Sequence, residues 1–153
     1  MDELLPVHRT FLEVFRKPDV GERLGLFFQR QLGNLRDYST YYENYQTALY
    51  TLRQMCNTVP DFAGFLDSCV VASKQKNSLE SILIMPVQRL PRYLMLLAEL
   101  IKYTGKDDPE YAALQAAHTG LYNLVKSMDE AMLQRQRQVK LNSVLATVAG
   151  LVV

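Results

Sequence analysis

Along most of the chain, apolar residues return every three or four positions, the spacing that places them on one side of an α-helix. Leu5, His8, Phe11, Leu12 and Phe15 form one such stripe and predict a first helix from Asp2 to Arg16. Lys17-Pro18-Asp19 closes it, because proline lacks the backbone donor and pushes the residue before it out of the helical region. A second helix is predicted from Val20 to Gln31, ending near Gly33-Asn34, residues suited to a left-handed helix C-terminus. A third covers Asp37 to about Cys56 and carries a tyrosine stripe, Tyr38, Tyr41, Tyr42, Tyr45 and Tyr50. Pro60 opens a fourth that reaches about Ala72, and Lys74-Gln75-Lys76 reads as a polar loop.

Asn77, with Glu80 three residues on, has the layout of a capping box with Asn in place of Ser or Thr. A fifth helix follows, with Leu79, Leu83, Val87, Leu90, Leu94, Leu97 and Ile101 at helical spacing, and it ends near Thr104-Gly105. Asp108 caps the sixth, with Pro109 at its first position, where a missing donor costs nothing. That helix is predicted to run to about Gln138; a span of about thirty residues measures roughly 45 Å. No alternating apolar and polar run suggests a strand. About six helices with short connections predict an all-α fold, an elongated multi-helix bundle.

At 153 residues, 48% of them apolar, the chain suits one domain with a substantial core. The charges nearly cancel, 17 basic against 16 acidic, which argues against nucleic acid as a partner. Cys56 and Cys69 form no CxxC pair and have no histidine cluster beside them, so neither a metal site nor a disulfide framework is expected. Both cysteines are expected to be buried small apolar residues, and His8 and His118 to be structural. The opening stretch MDELLPVHRTF, acidic and interrupted by proline, is not expected to act as a signal peptide, and the apolar stretch 143–153 is too short to cross a bilayer. A reducing, cytoplasmic location is expected. Gly120 inside the sixth helix implies close packing there, and Arg135, Arg137 and Lys140 a basic, solvated end, with acidic lipid or a neighbouring domain as the other reading.

The fifth helix carries two interior prolines, Pro86 and Pro91, each costing about 3 kcal/mol in an ordinary helix. Pro86 cannot donate to the carbonyl of Ile82, nor Pro91 to that of Val87. At about 100° per residue, Leu83, Val87, Leu90, Leu94, Leu97 and Ile101 share one face, the core face. Ile84, Gln88, Pro91, Arg92 and Met95 share a second, centred about 120° away. Interfaces favour arginine and methionine, which suits a recognition surface; ordinary surface polarity at Gln88, Arg89 and Arg92 is the other reading, and composition leaves both open.

The string PVQRLPRYLMLLAELIKYT, within the fifth helix, resembles the signature helix of Dbl-homology (DH, RhoGEF) domains. YSTYYENYQTALYTL is similar to the tyrosine-containing middle segment of that family, and ELLPVHRTFLE to an early helix. The resemblance covers about Asp2 to Lys140. It implies a guanine nucleotide exchange factor for a Rho-family small GTPase, a regulator that expels GDP and holds the nucleotide-free form until GTP enters. No bond is made or broken, and no cofactor or metal is implied. Carried over by position, Gln88 and Arg92 match polar residues facing the GTPase. Pro91 matches a neighbouring contact, Ile84 a position whose shape helps choose among Rho-family members, and Asp129 a position commonly Asn that reaches the second switch.

The same resemblance implies a Dbl-homology domain over 1–140, N-terminally incomplete, and a connector over 141–153 toward a following domain, commonly pleckstrin-homology. Membrane contact, where it occurs, is expected through such an adjacent domain, with recruitment to the inner face of the plasma membrane. The alternative is a non-catalytic helical scaffold of the same fold. The family opens with a long helix whose glutamate contacts the first switch; this sequence starts after it, at Met1-Asp2-Glu3. Apolar surface is then expected to lie exposed, and the polypeptide to exchange nucleotide poorly by itself. Fluorescent-GDP release from the chain and from an N-terminally extended version checks this: the extended version is expected to be faster, and equal, high rates would show the missing helix to be dispensable.

Overall fold

The computed structural model of the chain describes residues 4–16, 23–74 and 76–150. Those residues form six helices and no strand: α1 (Leu4–Phe15), α2 (Leu24–Leu35), α3 (Tyr38–Thr58), α4 (Pro60–Ala72), α5 (Leu79–Tyr103) and α6 (Pro109–Gly150). The all-α class follows the periodicity. The expected helix start at Asp2, the stop at Lys17-Pro18-Asp19, the start at Val20 and Gln75 of the polar loop lie outside the described residues.

Three boundaries differ from the sequence reading. Gly33-Asn34 does not end α2, and no described glycine has a positive φ. The helix continues to Leu35, which is fully buried, so burial of one leucine outweighs the poor helix propensity of the two residues before it. At the start of α5 the capping side chain belongs to Ser78, whose Oγ accepts the Ser81 N–H at 3.2 Å. Glu80 turns away from the cap and accepts the Arg53 guanidinium of α3 at 2.9 Å. α6 passes Gln138 and reaches Gly150, since no proline or glycine stands between them. Its start is as read: Asp108 Oδ1 accepts the Glu110 N–H at 2.8 Å, with Pro109 leading the helix.

Contacts divide the chain into two units, residues 1–41 with 86–126 and residues 42–85 with 127–153. In the first, Phe11, Phe28, Leu35, Leu90, Leu97, Ala117 and Leu121 are at most 1% exposed and form a dry core. α2 and α6 approach closely there because glycine faces backbone. A Cβ on Gly25 would lie 2.5 Å from the backbone of Ala113 and Leu114. The Gly25 N–H donates to Glu110 Oε2 at 2.9 Å, and Gln29 Nε2 donates to the Ala113 carbonyl at 2.9 Å. Gly120 has the close neighbour the sequence implied, Leu32.

In the second unit Tyr42, Tyr45, Leu52 and Met128 are buried. α4 buries no residue, and its Phe65 and Val71 are 61% and 80% exposed. Cys69 lies exposed on that helix, off its half-buried side formed by Phe62, Leu66 and Val70, and Cys56 near the end of α3 is half-buried, so the expectation that both would be buried is corrected. The tyrosine stripe splits likewise, for Tyr38, Tyr42 and Tyr45 recur on the inner side of α3 while Tyr50 is open to solvent.

The same substitution at two glycines of α2 is expected to act with opposite sign. Gly25→Ala drives a methyl into backbone that cannot step aside, and a cost of about 2 kcal/mol should lower Tm by roughly 5 °C. Gly33 has no atom near its added Cβ, so Gly33→Ala should stabilise by about 0.5–1 kcal/mol. Thermal melts followed by circular dichroism read both.

Candidate functional site

α5 runs unbroken from Leu79 to Tyr103 through both prolines. Its first-unit part buries Leu90, Tyr93 and Leu97, spaced by three and four residues, which leaves Gln88, Pro91, Arg92 and Met95 on the exposed side. Arg92 Nη2 donates to Gln88 Oε1 at 3.1 Å. The bond joins residues one turn apart and occupies one of the two lone pairs of the amide oxygen. What the pair presents outward is then mostly donor: the amide N–H groups and the rest of the five guanidinium N–H groups. Arg89 is also exposed, and among the described residues neither it nor Arg92 forms an ion pair. The face is cationic and rich in donors, fitted to carboxylates and carbonyl oxygens.

Beneath it lies a network that sequence reading passed over. Tyr93, next to Arg92, stacks on Phe11 of α1 with centroids 5.1 Å apart and planes at 2°. Phe28 of α2 meets it edge-on at 5.7 Å. The Tyr93 hydroxyl bonds His8 Nδ1 at 3.1 Å, and His8 Nε2 bonds the Tyr38 hydroxyl. A neutral imidazole donates from one nitrogen and accepts at the other, so His8 serves both tyrosines and ties α1, α3 and α5 together. Burial, then the nearby Arg89 charge, lowers its pKa from the ordinary 6.5. Burial raises the Tyr38 hydroxyl to about 12, with Tyr93 adding to the rise and Arg89 opposing it. The missed signal was present: Tyr93 falls three residues after Leu90 and four before Leu97. Reading the stripe only for aliphatic residues skipped it.

The first unit therefore brings together Gln88, Pro91 and Arg92. Ile84 precedes Gln88 by one turn of α5, is half-buried, and belongs to the second unit. Asp129 belongs to the second unit as well, on the exposed side of α6 beside buried Met128. Partial burial of its carboxyl pushes its pKa up. Among the described residues no group of three His, Cys, Asp or Glu could hold a metal ion.

Helical units of this kind define a Dbl-homology fold. The chain superposes on the solved Vav1 exchange factor, known from work on the structural role of its PH and C1 domains, with a TM-score of 0.77 at 25% identity, covering 94% of this chain and 40% of that one. Autoinhibited Vav1 gives 0.79 at 24% identity, over 94% and 27% of the two chains. A family model described as the RhoGEF domain matches residues 1–129, and the chain belongs to that family. It is 34% identical over 115 residues to Rho guanine nucleotide exchange factor 10 of Mus musculus, covering 73% of this chain and 9% of that protein. It is 31% identical over 139 residues to Rho guanine nucleotide exchange factor 17 of Homo sapiens, covering 85% and 7%. The chain thus spans less than a tenth of the length of these curated relatives.

Acid should loosen the support of the α5 face. Because the folded pKa of His8 is depressed, its contribution is complete above the unfolded value of 6.5 and is lost as pH falls through and below it. Tm is expected to decline across that window, and His8→Gln, which keeps a donor and an acceptor but cannot titrate, to flatten the decline. An unchanged slope in the variant would remove His8 as its source.

Proposed function

We propose that the chain engages a Rho-family small GTPase and promotes GDP release by binding the nucleotide-free form in preference to the nucleotide-bound ones. The observation that carries this is the exposed Gln88–Arg92 pair on α5, bonded at 3.1 Å and standing on a helix whose inner side is fixed by Tyr93. Membership of the RhoGEF family supports the same reading.

The chemistry is differential binding. Donors on α5 would take acceptors of the GTPase switch regions in the arrangement they adopt once nucleotide and magnesium have gone. Each 1.4 kcal/mol of preference for that arrangement raises its population about tenfold. Gln88 and Arg92 supply the hydrogen bonds, and Pro91 a rigid contact between them. Ile84 contributes shape that discriminates among Rho-family members. Asp129, whose raised pKa reflects lost hydration, would regain stabilisation from a basic side chain of the GTPase. Nothing in this scheme requires a nucleophile, a metal or a cofactor.

Arg92→Ala should slow GDP release at least ~30-fold, the effect of truncating one partner of an interfacial charged hydrogen bond worth about 2 kcal/mol. Gln88→Ala with Arg92→Ala should abolish capture of nucleotide-depleted GTPase, while Tm stays put because both side chains are exposed. Release is read with fluorescent GDP on the N-terminally extended version, and capture on a panel of nucleotide-depleted Rho-family GTPases. Capture and release that survive the double substitution would mark α5 as a structural helix and the chain as a helical scaffold.

A further inference from the structure

Under the α5 face, three helices meet at one side chain whose charge can change. His8 of α1 is half-buried. Its ring nitrogens bond the Tyr93 hydroxyl of α5, at 3.1 Å, and the Tyr38 hydroxyl of α3. Both tyrosines are buried, and their rings lie 6.2 and 5.7 Å from the imidazole, centroid to centroid. Serving one hydroxyl as donor and the other as acceptor requires a neutral ring. A proton turns the accepting nitrogen into a second donor, and the hydroxyl that pointed at it loses its acceptor.

The surroundings of the ring oppose that proton. On α1 it faces the Phe11 ring at 6.1 Å, and its neighbour Arg9 is exposed. From α3 comes Tyr38, and from α5 come Tyr93 and Arg89. Among the described residues, Arg89 is the one charged group acting on the ring, and no carboxylate pairs with it. Arg89 also acts on both tyrosines, opposing the rise that burial causes in their pKa. It stands one turn before Tyr93 on α5, about 40° from it and about 60° from Arg92 around the helix axis. Its stem thus leaves the helix between the buried tyrosine and the exposed arginine.

We propose that His8 is a positioning residue for nucleotide exchange: in its neutral form it holds Tyr93, and through Tyr93 the Gln88–Arg92 pair, in the orientation that meets the GTPase, while Arg89 keeps the ring uncharged. The inference rests on the exchange reading of that face and adds its regulation, a loss of engagement in acid. His8 lies beneath the face, so its effect reaches a partner only through α5. A face correctly oriented for only a fraction of the time binds more weakly by that fraction, while a complex once formed proceeds at the full rate. Lost orientation therefore raises KM for the GTPase and spares kcat. Lost folding does the reverse, since it removes active protein.

Fluorescent-GDP release by the N-terminally extended version, with the Rho-family GTPase as the varied substrate, tests this across about pH 5.5 to 8. KM of the unsubstituted protein is expected to rise as pH falls below the ordinary histidine value of 6.5. His8→Gln, which keeps a donor and an acceptor, should hold KM near its neutral value and lose the acid rise. Arg89→Gln should move the rise to higher pH, because the cation opposing the proton is gone. Tyr38 is too deeply buried to touch a partner, yet Tyr38→Phe should raise KM about fivefold at neutral pH with kcat unchanged, the effect of one lost hydrogen bond. An acid rise that persists in His8→Gln overturns the positioning role, and so does a Tyr38→Phe protein that loses kcat at constant KM. An unsubstituted protein that releases no GDP at neutral pH overturns the exchange reading itself, and this inference falls with it.

Discussion

The exposed chemistry of the first unit depends on how one buried tyrosine is held. Tyr93 is fixed on three counts at once: its ring by stacking on Phe11, its edge by Phe28, its hydroxyl by His8. Adjacent residues of a helix project about 100° apart, so fixing Tyr93 fixes the direction in which Arg92 leaves the helix. The aromatic cluster is thus more than filling. Loss of the Tyr93 ring would open a cavity costing about 3–5 kcal/mol, and the first visible consequence would be an α5 face no longer held in register with the core.

Two prolines in α5 become intelligible on the same ground. Each withholds a backbone hydrogen bond, a combined cost of about 6 kcal/mol in an isolated helix. The helix nevertheless continues through both, because Leu90 and Leu97 are completely buried on either side of Tyr93 and tertiary packing supplies what the backbone lacks. Pro91 in return gives the exposed face a side chain with no rotamer freedom to lose on contact.

How far the fold was legible follows from which forces acted locally. Helices announced by period and by local caps were readable: α4 from Pro60 and α6 from Asp108-Pro109 match the structure. Boundaries decided by distant packing were not. Nothing near Gly33-Asn34 foretells that Leu35 will be buried, and nothing in Asn77 reveals that Ser78 will take the cap while Glu80 reaches Arg53 across to α3. Cys69 shows the same limit, since a small apolar residue is buried only where it falls on the inner side of its helix, and Cys69 lies off the side that carries Phe62, Leu66 and Val70. Of the candidate residues, the side of α5 bearing Gln88, Pro91 and Arg92 was legible because helical period alone turns them about 100° or more away from Leu90. The His8–Tyr93–Tyr38 network was not, because its members lie 30 and 85 residues apart in sequence.

Under the proposed exchange function, preorganisation of the Gln88–Arg92 pair also constrains what the pair can do. An arginine side chain loses up to about 2 kcal/mol of rotamer entropy when it is immobilised, and the bond to Gln88 removes part of that loss before any partner arrives. The gain is the same for every state of a partner that meets the face, so it strengthens binding without by itself favouring GDP release. Discrimination has to come from acceptors on the partner that reach the donors in one state and miss them in another. A rigid donor face sharpens that difference, because it cannot follow acceptors that move away; a mobile arginine could track them and would bind both states alike.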